Sequence, residues 1–465
     1  MDSRQEHAGM TSFGKLFFIQ IKYCSILNTQ YSILNTQYSI HNTQYTILNT
    51  QYSIKNMTLD ESIRLKTELL IDGLTITDEA LTTVGQGGLE KVFWVFEMTP
   101  STHEGTGDGT RPLPNDMLLP YDLYVDVRYS PTSPYKVHKS GNTVVLMKNN
   151  KELCEVKWPK RPDFYDMKTR SGESMKKVAS MRGDCGLRVC FDNACTYFAK
   201  GEQCKFCNIV PARQRNRDHI VTIKEAEDIY DVVKEAIIDN PVCSHLAMTA
   251  GAAKDDGLGN LPKILERLQP LLKEKYFPIV TAITATRNRE ETEYLCSTGI
   301  SSVAFNLEIW DEKIFSEICP GKTRRVGRDR WIESLKEARD LLRPARALSS
   351  FVVGLEPMES VLAGIDYLSS EGIFPIMSPF IPMVGTAYEG NPAPKSEWVW
   401  DVHERATDLI HKNLPEAFCD EIWDGDIGIC PSCTTTKLFF DFMRRIVPRK
   451  NPGRVMSNES VEAYV

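Results

Sequence analysis

Nowhere in its 465 residues does the chain carry a run approaching the roughly 20 apolar residues that span a bilayer. The short apolar stretch Leu16-Phe17-Phe18-Ile19 also lacks the length and cleavage site of a secretory signal. Membrane helices are thereby excluded, and the expected location is the cytoplasm. A basic excess is missing too: Lys+Arg number 55 against 62 Asp+Glu, a net charge of −7. That balance offers no general attraction to nucleic acid or an anionic membrane surface. No convincing nucleophile triad, P-loop or HExxH motif is present.

What the chain does have is thirteen cysteines, most of them single and the rest in two tight groups. In a protein of this length such spacing indicates a reduced chain with metal ligands rather than a disulfide scaffold. The length itself predicts a catalytic domain of about 200 residues flanked by smaller segments.

The first segment is a tandem heptapeptide, SILNTQY over Ser25 to Tyr31 and again over Ser32 to Tyr38, varied twice more up to Tyr52. Thr, Asn, Gln and Tyr fill most positions and no e/g charges appear, so a coiled coil is disfavoured. Residues 1–56 are read as a low-complexity tail, disordered or prone to β-association, with Met57 as a candidate start. From 57 to 180 the pattern is mixed, with a helical opening at Glu61 to Asp72 and alternation over Tyr121 to Tyr129. A hairpin is expected with Thr143 to Met147 and Leu153 to Val156 joined through Asn149-Asn150. This predicts an α+β accessory domain.

Over 181–385 strands and helices alternate. Strands are expected at Leu187 to Phe191, His245 to Ala250, Pro278 to Thr284, Ser302 to Ile309, Leu348 to Leu355 and Phe374 to Phe380. Helical periodicity fills the gaps at Ile223 to Ile238, Leu261 to Lys273, Glu290 to Ser297, Arg330 to Leu342 and Glu359 to Ser370. Six such repeats predict an α/β fold of parallel βα units, in a barrel or an open sheet. Residues 386–465 form a C-terminal extension.

Directly after the first of these strands, Cys195, Cys204 and Cys207 form C-x8-C-x2-C, with Cys190 and Cys185 shortly before. Soft thiolates this close select zinc or an iron-sulfur cluster. Spacing alone leaves both open: Cys190 or Cys185 completes a four-ligand zinc set, whereas three thiolates on a cubane leave one iron free for a further ligand. A zinc-stabilised binding protein and an Fe-S electron carrier are therefore rivals to an enzyme.

The stretch CTYFAKGEQCKFC from Cys195 to Cys207, with Phe206 before its last cysteine, resembles the cluster loop of the radical S-adenosylmethionine (SAM) superfamily. The resemblance covers roughly Gly186 to Met383. The commonest spacing there is C-x3-C-x2-C, and this chain departs from it by five residues; longer first gaps occur in branches such as the elongator catalytic subunits. Trp158 to Cys207, including RPDFYDM, is also similar to uncharacterised radical SAM proteins that accompany nitrilases in bacterial gene clusters.

The resemblance implies a partial (β/α)6 TIM-like barrel in which Cys195, Cys204 and Cys207 hold a [4Fe-4S] cluster with SAM on its open iron. Reductive cleavage to a 5′-deoxyadenosyl radical would then act on a small-molecule or other substrate. It further implies SAM contacts from Thr249 and Gly251 in the turn after the second strand, and from Val352 and Gly354 on the fifth. The backbone of Ser378 to Ile381 is a candidate for the adenine edge, and one of Arg324, Arg325, Arg328 and Arg330 for the carboxylate. A one-electron donor such as flavodoxin or ferredoxin is the implied partner.

On the fourth strand alternation sets Ala304, Asn306 and Glu308 on one face against Val303, Phe305, Leu307 and Ile309. A parallel strand covered on both faces is apolar throughout, so Asn306 and Glu308 point to a polar lumen. In the family that position holds SAM, which makes Glu308 the leading candidate after the cysteines. Cys419, Cys430 and Cys433 form the second group, open to readings as an auxiliary Fe-S site, a zinc site shared with Cys185 or Cys190, a redox dithiol or core thiols. Cys24, Cys154, Cys243, Cys296 and Cys319 read as isolated thiols.

Overall fold

The computed structural model describes residues 57–85, 113–254 and 257–447, so the heptapeptide tail lies outside the described residues. The helix Leu59–Asp72 opens on a reciprocal capping box between Thr58 and Glu61. Then come β1 (Thr75–Ile76), β2 (Asp116–Leu119), β3 (Leu123–Asp126), β4 (Tyr135–Ser140), β5 (Thr143–Lys148) and β6 (Lys151–Val156). β2 and β3 pair as an antiparallel ribbon, and the order β1-β4-β5-β6 makes a four-stranded sheet.

The expected hairpin is present, and its turn has a local cause: Asn149 and Asn150 sit at φ 50° and 66°. Asn tolerates this left-handed region, and two such residues make the tight turn whose twist matches the strands. The strand expected from Tyr121 begins only at Leu123, because Tyr121 and Asp122 take φ 63° and 56°, and its four residues are all buried rather than alternating. The apolar core here joins Ile63, Leu69, Val137 and Leu146 to Val399, Trp400, Leu438 and Phe442 from far along the chain. A buried ion pair crosses the same junction, Lys66 Nζ to Asp441 Oδ2 at 2.6 Å.

The second sheet contains β7 (Ser180–Arg182), β8 (Gly186–Asp192), β9 (His245–Ala250), β10 (Ile279–Ile283), β11 (Ser302–Phe305), β12 (Ala347–Val353) and β13 (Phe374–Pro379). Its order is strictly sequential, with β8 to β13 all parallel and β7 antiparallel at the edge. An open doubly wound sheet reverses its order at a switch point; this one does not. Right-handed crossovers between consecutive strands put every helix on one face, so the sheet curls around the other as a partial six-stranded barrel.

The helices show why they dock. In Leu261–Glu274 the buried residues are Leu261, Ile264, Leu265, Leu268 and Leu271, one stripe at helical spacing. Expected boundaries hold within a few residues, with two informative differences. The helix after Ile223 begins at Ala226 and finishes as a π-helical stretch over Lys234–Asp239. Regular β11 stops at Phe305 rather than Ile309, because Glu308 lies at φ 73° and rejoins the sheet as a single bridge to Phe351.

One buried group makes the shared core sensitive to acid. On the helix Ser396–Asn413, His403 is fully buried, its Nδ1 2.7 Å from Val399 O and its Nε2 without a partner. Burial pushes its pKa down from 6.5 to about 4, with Lys437 and Lys66 adding to the effect. A depressed folded-state value means stability present above pH ~6.5 and lost as pH falls toward ~4, about 3 kcal/mol in all. Between pH 7 and pH 4 the wild-type chain is expected to lose about 3 kcal/mol more than His403→Phe in urea unfolding. Equal losses would remove His403 as the cause.

Candidate active site

The loop carrying the three cysteines leaves β8 at Asp192, whose Oδ1 accepts from Ala194 N at 2.7 Å. Beneath it the buried Lys224 Nζ donates to Cys190 O (2.6 Å), Asn193 Oδ1 (3.0 Å) and Val221 O (3.0 Å). Cys195 is held from β9: Thr196 N donates to Ala252 O at 3.0 Å and Gly251 N to Asp192 O at 2.9 Å. A Cβ on Gly251 would stand 1.9 Å from Ala194 O and 2.7 Å from Cys195 Cβ, so only glycine permits this approach.

The eight residues between Cys195 and Cys204 fold back on themselves. Thr196–Ala199 forms one helical turn, Gly201 takes φ 66°, and Glu202 N returns to Tyr197 O at 2.7 Å. The long gap is thus a compact excursion, and its far side is pinned to the helices Glu312–Ile318 and Pro320–Arg325 that follow β11. Gly321 N donates to Glu202 O at 2.8 Å and Lys205 N to Ile318 O at 2.9 Å. The Glu202 carboxylate receives Arg324 (3.1 Å) and Arg325 (2.9 Å). These two arginines thereby hold the loop rather than face the lumen; Arg328 stacks on Trp310, and Arg330 pairs with Glu337.

The three thiols influence one another. Hydrogen bonding from the Cys319 thiol holds Cys204 below the ordinary thiol range against the cost of burial, with Lys322 assisting. Burial pushes Cys207 well up, and charge on Cys204 and Cys195 adds to it. Burial raises Cys195 as well, with Cys204 contributing. Two half-buried thiols thus resist ionisation next to a third that favours it. Among the described residues the ligand atoms that close to within 4.8 Å of one another belong to Cys185, His245 and Cys430, not to these three.

Position removes Cys185, though not Cys190, from the four-ligand zinc alternative. Cys185 precedes β8 and Cys195 follows it, and a seven-residue strand separates them by about 20 Å. Cys190 is buried in one cluster with Ile209 and Val210, against which Cys195 and Cys207 pack, and burial pushes its thiol up to about 12.

Of the lumen candidates, the structure brings Asn306, Glu308 and Val352 together. Asn306 Oδ1 accepts from Ser350 N at 3.0 Å, Glu308 N donates to Ser350 O at 2.8 Å, and Val352 N donates to Glu308 O at 2.9 Å. Lys322 Nζ reaches Asn306 O at 2.5 Å and Glu308 Oε1 at 3.0 Å. Burial works against this ammonium, but Glu308 and Cys204 together raise its pKa, so it stays charged. Burial alternates as expected, Phe305, Leu307 and Ile309 being inaccessible while Asn306 and Glu308 are partly exposed. Thr249 lies at the end of β9, its Oγ1 donating to Ala282 O at 2.8 Å. Gly354 follows β12 at φ 108°, where a Cβ would meet Pro394 at 2.8 Å.

Sequence reasoning passed over Lys322, Cys319, Glu202 and Lys437. Lys437, half-buried, donates to Ser378 Oγ at 2.6 Å; burial lowers its pKa to about 8, and Glu308 opposes that shift. The run Cys319-Pro320-Gly321-Lys322 carried a local hint in its helix-starting proline and its glycine, but nothing in it announced Cys204 as neighbour. Cys419 stands beside Glu421 and Arg346, whereas Cys430 and Cys433 contact Cys185 and His245.

Residues 193–377 match the sequence model of the Radical SAM superfamily. Bacteriochlorophyllide c C-7(1)-hydroxylase of Chlorobaculum limnaeum is 23% identical over 374 residues, 77% of this chain and 87% of that protein. Among solved structures, methylornithine synthase is 17% identical with a TM-score of 0.37, over 50% of this chain and 64% of that one. A maturase of the [FeFe]-hydrogenase is 13% identical with a TM-score of 0.36, over 52% of this chain and 54% of that one.

Gly251→Ala tests the close approach that positions Cys195. The methyl group meets backbone rather than a movable side chain, so denaturant unfolding is expected to show a loss of at least ~2 kcal/mol. A change within ~0.5 kcal/mol would mean that the loop yields.

Proposed function

We propose that this chain, an enzyme carrying a radical SAM domain, holds a [4Fe-4S] cluster on Cys195, Cys204 and Cys207 and cleaves SAM reductively. When bound, the cluster and SAM supply one-electron cleavage to a 5′-deoxyadenosyl radical that takes hydrogen from a substrate. The observation that carries this reading is the pinning of the three-thiol loop between the β8 and β9 ends and the helices after β11, beside a charged lumen.

The chain's own residues do the remaining work. Lys322 neutralises part of the thiolate charge and orients Glu308 by occupying its Oε1. The other carboxylate oxygen of Glu308 takes the SAM amino or ribose group, with Asn306 fixing the backbone of Ser350 alongside. Thr249 and the Gly251 backbone form one wall, and Val352 with Gly354 the apolar wall against adenine. The buried Phe305, Leu307 and Ile309 back the polar face and keep water from behind it.

In this reading residues 181–385 are the core, 57–180 an accessory domain and 386–465 an extension. The substrate is a small molecule, and the electron comes from a flavodoxin or ferredoxin. Twelve free cysteines among the described residues suit a reducing cytoplasm, and no helix there is long and apolar enough to cross a membrane.

Anaerobic reconstitution is expected to load about four irons per chain, and Cys195, Cys204 and Cys207 changed together to Ala should abolish that loading. With SAM and dithionite the loaded protein should release 5′-deoxyadenosine; its absence from fully loaded protein would overturn the proposal. Glu308→Gln should keep the iron and weaken SAM binding by about tenfold, the loss of roughly 1.4 kcal/mol.

A further inference from the structure

The four residues Cys185, His245, Cys430 and Cys433 lie at the opposite end of the barrel from the cluster loop. Cys185 immediately precedes β8, and His245 is the first residue of β9, in register with Gly186. Cys430 and Cys433 are the C-x2-C of the C-terminal segment, some 245 residues away in sequence. Cys185 Sγ is 3.0 Å from Cys430 Sγ, Cys430 Sγ is 3.7 Å from Cys433 Sγ, and Cys433 Sγ is 3.2 Å from His245 Nε2. The Cys185, His245 and Cys430 ligand atoms all lie within 4.8 Å of one another.

We propose that these four side chains form a mononuclear Cys3His zinc site that fastens the C-terminal segment to the base of the barrel. Zinc-sulfur bonds of ~2.3 Å and a zinc-nitrogen bond of ~2.0 Å place tetrahedral neighbours roughly 3.5–3.8 Å apart. Of the three closest pairs, those at 3.2 and 3.7 Å approach that value and the one at 3.0 Å lengthens by less than ~1 Å to reach it, while Cys433, outside the trio that closes within 4.8 Å, moves inward as the fourth ligand. A cubane interposes four irons and needs its thiolates farther apart, so one ion fits the space and a second cluster does not.

The surroundings are those of a ligand set. His245 Nδ1 lies 2.9 Å from Ser244 Oγ, which fixes the ring with Nε2 toward the sulfurs. Arg188 donates from Nη2 to Cys433 Sγ at 2.8 Å, and Cys430 N donates to the same sulfur at 3.1 Å. Three thiolates and one zinc carry a net −1, which this arginine offsets. Glycine clears the space: a Cβ on Gly186 would meet Cys433 Cβ at 2.4 Å, and one on Gly425 would meet the His245 ring at 3.1 Å.

The consequence reaches the lumen. Four residues past Cys433 stands Lys437 on Ser378, and Phe439 and Phe440 then enter the barrel core. The metal closes a very long loop whose chain entropy would otherwise oppose that docking.

The test is metal analysis of the full chain. Protein with Cys195, Cys204 and Cys207 all changed to Ala should retain about one zinc, with zinc-edge absorption showing three sulfurs near ~2.3 Å and one nitrogen near ~2.0 Å. Cys430→Ser with Cys433→Ser should lose the zinc while still taking up iron. If that variant does not fold, wild-type chain grown with cobalt serves instead and should show the intense visible bands of tetrahedral thiolate cobalt. Absence of zinc from the triple variant, zinc retained without Cys430 and Cys433, octahedral cobalt spectra, or a Cys185–Cys430 disulfide by mass spectrometry would each overturn the site. None of these readouts depends on SAM cleavage, so this proposal and the preceding one fail separately.

Discussion

The site rests on the approach of the β9 turn to the first residues of the cysteine loop, where Gly251 lies against Ala194 and Cys195. Two backbone hydrogen bonds, Gly251 N to Asp192 O and Thr196 N to Ala252 O, close the contact. Everything beyond it is hung from this join: the helical turn, the Glu202 clamp and the placing of Cys204 beside Cys319. A loop fixed at both ends by backbone bonds presents its thiols at small cost in entropy, which is what a metal cluster requires of its holder.

Charge is the second organising constraint. Glu308 and Lys322 are largely removed from water and face each other, and Lys322 stays charged because Glu308, with Cys204 adding to the hold, outweighs its burial. Lys437 enters the same interior from the far end of the chain, at a position where burial weakens its charge. Such groups in a lumen are expensive, and their concentration at one end of the strands is consistent with a site built for a polar ligand. The left-handed backbone at Glu308 belongs to the same construction, since it turns the chain out of β11 and back to Ser350 and Val352.

The C-terminal segment is part of both cores rather than an appendage. Leu438, Phe442 and Asp441 complete the packing around the helix Leu59–Asp72, while Phe439 and Phe440 pack in the barrel. A short helix that is apolar on both sides therefore couples the two halves, and His403 sits in the joint.

Much of this was legible in local pattern. The six strands and five helices of the barrel follow from periodicity and turn residues, the Asn149-Asn150 hairpin from two residues that accept left-handed backbone, and the three cysteines from spacing. The partial exposure of Asn306 and Glu308 between the buried Phe305, Leu307 and Ile309 was expected from alternation. Less legible was every contact between residues distant in sequence: Cys319 with Cys204, Arg324 and Arg325 with Glu202, Lys437 with Ser378, and Cys185 and His245 with Cys430 and Cys433. The sequence by itself determined which segments are strands and helices and which thiols share a loop, because backbone propensity and side-chain period act within a few residues. Only the tertiary structure decided which cysteines meet across the fold, because that depends on how β8 and β9 are registered and on where the returning C-terminal segment packs.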